Sequence, residues 1–363
     1  MLKDIVWVNF DVLENFMIDV FRKVGVPEED AKICADVLIT SDKRGIDCHG
    51  VAYLKRLYFD RLKTGQIEPK NNMEIVKETP TTALVDAHHG IGLVVGLKSM
   101  DLAIKKAKEF GMGMVAVRNS THYGFAGYYP LMAIKDNMIG ITGTNTTYCV
   151  VPTFGVEPVL GTNPLTFGIP SDEDFPFCLD CATSVRSVGR VEMYERAEKE
   201  IPAGLVIDKD GKTRTDSRQV LSDLTSGKLN LLPLGGIGEE TAGYKGYGYA
   251  TIVEILSTAL QDGKLFKESY KERSRHLGHF FIAINISAFI DVEIFKKITG
   301  GILRNIRNSQ KAPGEEKIYT AGEKEYLTWL ERKDKGAPIT KSAQKDFLDI
   351  QKELHLDQYK FPF

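Results

Sequence analysis

The sequence predicts a mixed α/β protein of the α+β kind, with helices at both ends of the chain and a β-rich middle. Near the start, apolar residues recur every three or four positions, which is the period of an amphipathic helix. Between residues 139 and 179, short runs such as ITGTN, LTFGIP and PFCLD alternate with glycine, proline and asparagine turns, which indicates strands. At 363 residues, the chain can form two or three lobes and an enclosed site.

The predicted helices follow one another closely in the first part of the chain. One runs from about Asp11 to Val24, and a second begins after Pro27 with three acidic residues, which favour a helix amino end. The next stretch predicts a third helix that begins just after His49 and ends at Gly65. Residues 325–331 and 343–354 predict terminal helices that return to pack on this first lobe.

The stretch VDAHHGIGLVVG, residues 85–96, raises the question of a dinucleotide-binding turn. A strand precedes its glycines and a helix follows, so the first helical amides could hold a pyrophosphate. However, the spacing is GxGxxxG, and the next strand ends in Arg118 and Asn119 where an acidic residue would bind the ribose. The alternative is a glycine turn that only joins a strand tightly to a helix, and these residues alone leave both interpretations open.

Composition and charge exclude several classes of protein. The formal net charge is −2, so no general electrostatic attraction favours nucleic acid or an anionic membrane as a partner. The start lacks the pattern of a secretory signal, and no uncharged run approaches the ~18 residues of a membrane span, so we expect a cytoplasmic protein. The five cysteines are odd in number and scattered, which fits reduced thiols.

Histidines and cysteines also raise the question of a metal. The pairs His88 with His89 and His276 with His279 could supply ligands, but no HExxH motif or second CxxC pair accompanies them. The single CxxC of Cys178 and Cys181 is weak evidence for zinc or redox chemistry. We therefore predict no metal.

Two histidines lie in glycine-flanked polar turns, His49 in DCHG and His122 in NSTHYG. A histidine can transfer a proton near neutral pH, and the interconversion of a hydroxyacid and a keto acid needs such a group as the hydride moves. Either histidine could transfer the proton, and the alternative for each is a ring that only caps a turn.

Asp180 closes an apolar run, where it could fix a histidine tautomer or cap the next turn. Lys245, on a glycine-rich turn before a helix, could meet a phosphate or carboxylate, although most exposed lysines do neither.

Taken in order, eight stretches resemble the malate/L-lactate dehydrogenase family, from about residue 11 to residue 355. Each stretch alone is weak, but their order and spacing are highly specific. They are DCHGV (47–51), NSTHYGFAGYY (119–129), VPTFGVEPVLGTNPLTFGIP (151–170), LDCATS (179–184), IPAGLVIDKDGKTRTD (201–216), LPLGGIGEETAGYKGYG (232–248), HLGHFFIAIN (276–285) and AGEKE (321–325).

The resemblance implies a non-Rossmann nicotinamide-binding fold, in which residues 85–96 form only a structural turn. It implies a helical lobe of residues 1–75 joined by 315–363, and a cofactor-binding and catalytic lobe of residues 76–314 around a largely antiparallel sheet, with 190–230 as a candidate sub-lobe. Relatives are dimers with sites near the subunit boundary, so a homodimer is expected.

Carried over by motif, the resemblance also assigns roles to residues. His122 looks like the catalytic acid or base, and His49 belongs to the turn proposed as proton donor or substrate contact. The residues expected to contact NAD or NADP, or to line its pocket, are Thr146, Asn163, Pro164, Asp180, Cys181, Ala182, Thr183, Ser184, Lys245 and Glu323.

Three departures from the family pattern concern the substrate. Cys48 replaces the usual serine before the histidine, and Tyr53 replaces an arginine that would clamp a carboxylate. Arg56, one turn further on, is the candidate replacement for that arginine. Leu205 stands where the family usually has tryptophan.

We therefore predict an oxidoreductase that transfers hydride between NAD or NADP and C2 of a small 2-hydroxy or 2-keto acid, with malate and oxaloacetate as the expected pair. In this hypothesis His122 moves the hydroxyl proton, aided or replaced by His49, Asp180 orients one of them, and Arg56 holds a carboxylate. Alternatives within the family are reductases of a cyclic imino acid, a diketo acid or ureidoglycolate. Alternatives from other classes are a metal-dependent hydrolase and a non-enzymatic binding protein.

Overall fold

The computed structural model describes residues 5–196, 198–264 and 276–363. The start of the predicted helical lobe, residues 1–4, and residues 265–275 of the predicted cofactor-binding lobe therefore lie outside the described residues. The strands are β1 (Val6–Val8), β2 (Glu74–Glu78), β3 (Thr82–Asp86), β4 (Met112–Ser120), β5 (Met138–Thr144), β6 (Leu165–Ile169), β7 (Phe177–Cys181), β8 (Val206–Asp208), β9 (Leu229–Leu231), β10 (Leu277–Asn285) and β11 (Ala337–Ile339).

Several helices occur where the sequence predicts them. The predicted helix near residues 11–24 is Phe10–Lys23, and the one after Pro27 begins at Glu28. The helices are α1 (Phe10–Lys23), α2 (Glu28–Lys43), α3 (Asp60–Lys63), α4 (Gly92–Phe110), α5 (Tyr128–Lys135), α6 (Val188–Arg196), α7 (Ser217–Thr225), α8 (Gly243–Ser257), α9 (Val292–Arg307), α10 (Glu323–Arg332) and α11 (Lys341–Leu354). Of these, α5, α6, α7 and α9 are not predicted from the sequence.

The main sheet has seven strands in the order β2-β3-β4-β10-β5-β6-β7. Neighbouring strands are antiparallel except for β3 and β4, which are parallel and are joined through α4. This confirms the predicted mixed α/β class with a largely antiparallel sheet. The central strand β10 comes from late in the chain, so the sheet forms only when distant segments meet.

Apolar side chains form separate clusters. The largest combines residues of α1, α2 and the first turn of α4 with residues of β11 and α11, so both ends of the chain share one core. A second cluster lies between the sheet and the helices α4 and α5. A third packs α6 and α7 against the short β8–β9 ladder. The predicted lobe boundaries stay a prediction.

The predicted helix after His49 is not a single α-helix. Residues 47–53 form two 3₁₀ turns, Leu54–Phe59 form a π-helical turn, and α-helical geometry begins only at Asp60. A π turn widens the helix and shifts the side chains that follow it, and such turns are frequent at functional sites. Tyr58 lies within this turn, is fully buried, and its hydroxyl reaches His122.

The glycine turn of residues 90–96 packs α4 tightly against the protein interior. A Cβ at Gly92 would lie 2.2 Å from the carbonyl oxygen of Thr121, and one at Gly96 would lie 2.5 Å from the Tyr129 ring. The amide of Gly92 donates to the Thr121 hydroxyl at 2.9 Å. The amino end of α4 therefore lies against the His122 segment, and its glycines have a packing reason to be there.

We expect Gly92→Ala to lower the free energy of unfolding by about 1–3 kcal/mol, because the new methyl group meets rigid backbone. Gly248→Ala in α8 is the matched control, since no heavy atom lies within 4 Å of the position that its Cβ would take and alanine gains up to about 1 kcal/mol in a helix. Urea unfolding of both variants measures the difference, and equal stability of the two would contradict this account.

Candidate active site

Two histidines that are 73 positions apart in the chain lie side by side. The rings of His49 and His122 stack with centroids 5.8 Å apart and an interplanar angle of 17°. The Tyr53 ring meets both edge-on, at 5.9 Å from His49 and 6.4 Å from His122. The tertiary structure thus brings both predicted proton carriers into one site.

Hydrogen bonds fix the orientation of the His122 ring. The Tyr58 hydroxyl lies 2.8 Å from His122 Nδ1, and the amide of Gly124 donates to the same nitrogen at 3.2 Å. Because an amide can only donate, Nδ1 accepts, and the proton of the neutral ring resides on Nε2. Nε2 is therefore the nitrogen left for a ligand.

Burial keeps both imidazoles neutral. It lowers the pKa of His49 to about 4, and it lowers the pKa of His122 well below the usual range, with the nearby His49 as a smaller cause. The Cys48 sulfur lies 3.2 Å from His49 Nδ1, and burial raises the pKa of its thiol to about 11. Cys48 is therefore a neutral neighbour that can donate weakly to the ring, which is the role a serine would fill more strongly.

The turn that carries His49 is held from two sides. On one side, the buried Asp42 carboxylate accepts from the amide of Val51 at 2.7 Å, and a Cβ at Gly50 would lie 2.2 Å from that carboxylate. On the other side, Arg332 of α10 pairs with Asp47 through both guanidinium nitrogens and donates to the carbonyl oxygen of Asp42 at 2.7 Å. This double attachment places His49 precisely enough to stack on His122.

Asp180 has other partners than the histidines. Its carboxylate accepts from the Thr166 hydroxyl at 2.9 Å and from the amide of Gly127 at 3.0 Å, and burial raises its pKa. In the described part of the chain it bonds to neither imidazole. The expectation that Asp180 orients a histidine is therefore corrected: Tyr58 and Gly124 orient His122, because they and not the carboxylate reach Nδ1.

Two clefts meet at the histidine pair. They share five lining residues, which are His49, Gly124, Thr162, Pro164 and Ser187. The smaller, of about 290 Å³, is lined by His122, Tyr53, Arg56 and Thr146 among others. The larger cleft has a volume of about 570 Å³. From the LDCATS segment it is lined by Asp180, Cys181, Ala182 and Ser184, and its other charged lining residues are Arg44, Arg186, Arg190 and Glu325.

Arg56 is available to a ligand in the smaller cleft. Its side chain is 64% exposed, its guanidinium lies 5.1 Å from the Tyr53 ring centroid, and Glu192 approaches it only to 3.9 Å. A guanidinium held so loosely can exchange its partner for a substrate carboxylate. The predicted substrate residues Cys48, Tyr53 and Arg56 thus lie around the histidine pair.

Sequence reasoning misses Arg44, which lines the larger cleft. The side chain is half-buried, and burial lowers its pKa while Cys178 and Glu325 oppose that shift. Among the described residues no carboxylate lies within salt-bridge distance of it. A guanidinium desolvated in this way suits an anionic ligand. Only its place in the sequence four residues before Cys48 hints at the site.

Several of the predicted cofactor residues support the clefts from behind. The Asn163 amide donates to Glu254 at 2.9 Å and accepts from the amide of Thr146 at 3.2 Å, and Thr183 donates to the carbonyl oxygen of Asn163 at 2.9 Å. Asn163 and Thr183 are buried, so they fix the turn that presents Pro164 and Thr146.

Two predicted cofactor residues, Lys245 and Glu323, do not line either cleft as the described residues form them. Lys245 is exposed on the first turn of α8. Glu323 is buried, with its carboxylate 2.6 Å from Lys317 and accepting from the amide of Thr320 at 3.2 Å, whereas Glu325 lines the larger cleft. Contact between these two residues and a cofactor stays a prediction.

The described residues contain no cluster of three or more histidine, cysteine or acidic side chains that could hold a metal ion. Two of the histidines considered as metal ligands have other neighbours: His279 stacks on Tyr123 at 4.6 Å, and His88 lies 3.0 Å from Glu74.

Among the described residues, no helix is long and apolar enough to cross a membrane.

A pair of neutral imidazoles thus lies between a small cleft and a larger cleft lined by arginines. The chain belongs to the malate/L-lactate dehydrogenase family, whose model matches residues 8–347. This confirms the resemblance drawn from the sequence motifs.

Individual relatives match along nearly their whole length. Malate dehydrogenase of Pyrococcus horikoshii is 43% identical over 349 residues, which are 96% of this chain and 95% of the relative. L-sulfolactate dehydrogenase of Methanocaldococcus jannaschii is 41% identical, over 95% of this chain and 96% of the relative. The crystal structure of malate dehydrogenase from Entamoeba histolytica matches with a TM-score of 0.95 at 43% identity, over 99% of this chain and all of that chain.

We expect Tyr58→Phe to lower kcat/KM about tenfold or more, because a hydrogen bond to an imidazole that becomes charged is worth about 1.5–3 kcal/mol. Tyr359→Phe is the matched control, since its hydroxyl donates to Asp19 at 2.7 Å far along the chain from the histidine pair. Steady-state kinetics of both variants measure the effect. Equal activity of the two would show that Tyr58 does not set the state of His122.

Proposed function

We propose that the protein is an NAD- or NADP-dependent 2-hydroxyacid dehydrogenase that interconverts malate and oxaloacetate. The observation that carries this proposal is the stacked pair His49 and His122 beside the loosely paired Arg56. Relatives named malate dehydrogenase, at 43–45% identity over nearly the whole chain, support the same substrate pair.

The larger cleft fits a nicotinamide dinucleotide. Its volume of about 570 Å³ lies within the usual range for small-molecule sites. Arg44, Arg186 and Arg190 on its walls suit a pyrophosphate, and Arg44 favours an anion most strongly because it is half-buried whereas the other two are exposed. We propose that this non-Rossmann cleft, with Asp180 to Ser184, holds the cofactor.

The bound cofactor would supply or accept the hydride at C2 of the substrate. The protein would then handle the proton. In oxidation, the neutral His122 ring takes the tautomer with its proton on Nδ1, donated to the Tyr58 oxygen, and accepts the hydroxyl proton at Nε2. In reduction, the imidazolium returns that proton to the keto oxygen. The Tyr58 hydroxyl can donate to Nδ1 or accept from it, so it can bond to Nδ1 in every protonation state of the ring. The Gly124 amide can only donate, so it bonds to Nδ1 only when that nitrogen carries no proton.

A homodimer is part of the proposal. A protomer of this structure exposes many large apolar side chains, among them Ile252 and Ile255 on α8 and Ile298 and Ile302 on α9. Exposed apolar surface of this extent marks interaction sites in otherwise globular proteins.

The first prediction from this proposal concerns the proton carrier. We expect malate oxidation to keep its kcat/KM from neutral pH down to well below 6.5, because the lowered pKa of His122 and of His49, the latter about 4, leaves both imidazoles neutral there. His122→Asn should lower turnover on the order of 10²-fold or more while the cofactor Kd stays nearly unchanged. An acid limb close to pH 6.5, or lost cofactor binding, would remove His122 from this role.

The second prediction concerns the substrate. In a turnover screen of oxaloacetate, pyruvate, ureidoglycolate and a cyclic imino acid with NADH and NADPH, we expect oxaloacetate to react fastest. Arg56→Met should raise the KM for oxaloacetate about tenfold or more, because a charged hydrogen bond to the carboxylate is lost. Lys55→Met is the matched control, since that lysine pairs with Asp60 and not with the cleft. Faster turnover of the imino acid or ureidoglycolate would favour the alternative family activity.

A further inference from the structure

The motif HLGH, residues 276–279, lies at the start of β10 and has no part in the proton transfer described above. Its Leu277 lines the smaller cleft, and the pairing of β10 with β4 shifts register between Leu277 and His279. Such an irregularity changes the direction of the side chains around it. Both histidine side chains of the motif contact the segment 119–123, which carries His122 and is called the catalytic turn below.

His276 holds the beginning of the catalytic turn. Its Nδ1 lies 2.8 Å from Asn119 Oδ1, while the Asn119 amide nitrogen donates to the buried Asp86 carboxylate at 2.9 Å. An amide oxygen can only accept, so His276 Nδ1 carries a proton and donates it. His276 and Asn119 both have a left-handed backbone, with φ of 68° and 53°. This conformation is costly outside glycine, so the bond joins two residues that packing holds in strained positions.

His279 holds the end of the catalytic turn. Its ring is fully buried and lies parallel to the Tyr123 ring, with centroids 4.6 Å apart and an interplanar angle of 7°. The Tyr129 ring also packs against Tyr123, at 5.0 Å, and its hydroxyl donates to the carbonyl oxygen of Tyr123. Burial lowers the pKa of His279 to about 3, so the ring is neutral. Tyr123 directly follows His122, so these contacts restrict the backbone on that side of the imidazole.

The same motif also contacts the end of β5 and the loop after it, which line the smaller cleft. The Thr144 hydroxyl donates to the carbonyl oxygen of Gly278 at 2.9 Å and lies 2.7 Å from His279 Nδ1. Because that hydroxyl gives its hydrogen to a carbonyl, it accepts from the ring. The amide of Gly278 donates to Asn145 Oδ1 at 2.9 Å. One motif thus fixes the catalytic turn relative to a wall of the cleft.

We infer that His276 and His279 are positioning residues for His122: they hold the two sides of the catalytic turn and so place the imidazole against the substrate. This inference rests on the proposed function, because that function assigns the proton transfer to His122. Neither histidine is among the residues that line the two clefts, so both act through His122. A displacement of about 1 Å can lower a rate on the order of 10²-fold, so small movements of this turn matter.

Two variants of His279 test the stacked ring. His279→Leu removes the ring that packs on Tyr123, and we expect kcat for malate oxidation to fall about tenfold or more. The KM for malate and the cofactor Kd should stay near their wild-type values, because no lining residue changes. His279→Phe keeps a ring on Tyr123 but cannot donate to Thr144, and kcat should remain within about threefold of wild type.

Two variants of His276 test the hydrogen bond at the other side. Glycine and asparagine both tolerate the left-handed backbone, but only asparagine carries an amide nitrogen close to the position of His276 Nδ1. We expect His276→Gly to lower kcat about tenfold or more and His276→Asn to restore most of it. His355→Gly is the matched control, since this histidine has φ 53° at the end of α11 and should leave kcat unchanged.

Hydrogen exchange of residues 119–124 tests the positioning without turnover. The amide of Gly124 donates to His122 Nδ1, so its exchange reports whether the ring stays in place. We expect exchange about tenfold faster or more in His279→Leu and His276→Gly, and near wild type in His279→Phe and His276→Asn. Wild-type kcat and exchange in the first two variants, with only a lower unfolding midpoint, would overturn the inference. If the wild type oxidises no hydroxyacid, the proposed function fails, and the exchange rates still decide whether the motif positions His122.

Discussion

Burial of two adjacent imidazoles in the neutral state is the constraint on which this site depends. Charging either ring would place a cation beside the other in a poorly solvated space, so the pKa of each is held low. A neutral ring can exchange a proton only if its two nitrogens are in a defined state. The hydroxyl of Tyr58 meets that requirement for His122, because a hydroxyl can change from donor to acceptor when the ring changes its charge.

The surrounding scaffold is built from buried polar groups that are bonded to one another. Asn163 and Glu254 hold the turn beside the clefts, Asp180 ties β7 to the loop at Gly127, and Asp42 holds the turn of His49. Each group would be costly to bury without its partner, so the network defines one arrangement of the loops. The candidate catalytic side chains lie on loops, but their backbone has little freedom to move.

The sequence predicts part of the regular elements and part of the site. Amphipathic periodicity places α1 within a few residues of its bounds, the predicted terminal helix of residues 343–354 matches α11, and α2 begins directly after Pro27 as expected. The order of the motifs identifies the family, which the family model confirms, and the same motifs single out His49 and His122.

Tyr58 and Arg44 escape sequence reasoning for different reasons. Tyr58 fits the apolar face of an expected α-helix, but the structure places it in a π turn with its hydroxyl against His122, which periodicity does not show. Arg44 has no motif of its own, and its position on the larger cleft depends on how α2 ends against β7 and α10.

Local periodicity and the order of motifs along the chain are enough to define the class of fold, the family and the two histidines of the candidate site. Each of these features depends on residues that are close together in the sequence. Two other features appear only once the chain is folded: which nitrogen of His122 is free, and the bonding of Asp180 to Thr166 and Gly127. Each depends on contacts between residues far apart in the chain. The geometry of these contacts follows from how the helices, strands and loops pack against one another, so a local sequence pattern cannot predict it.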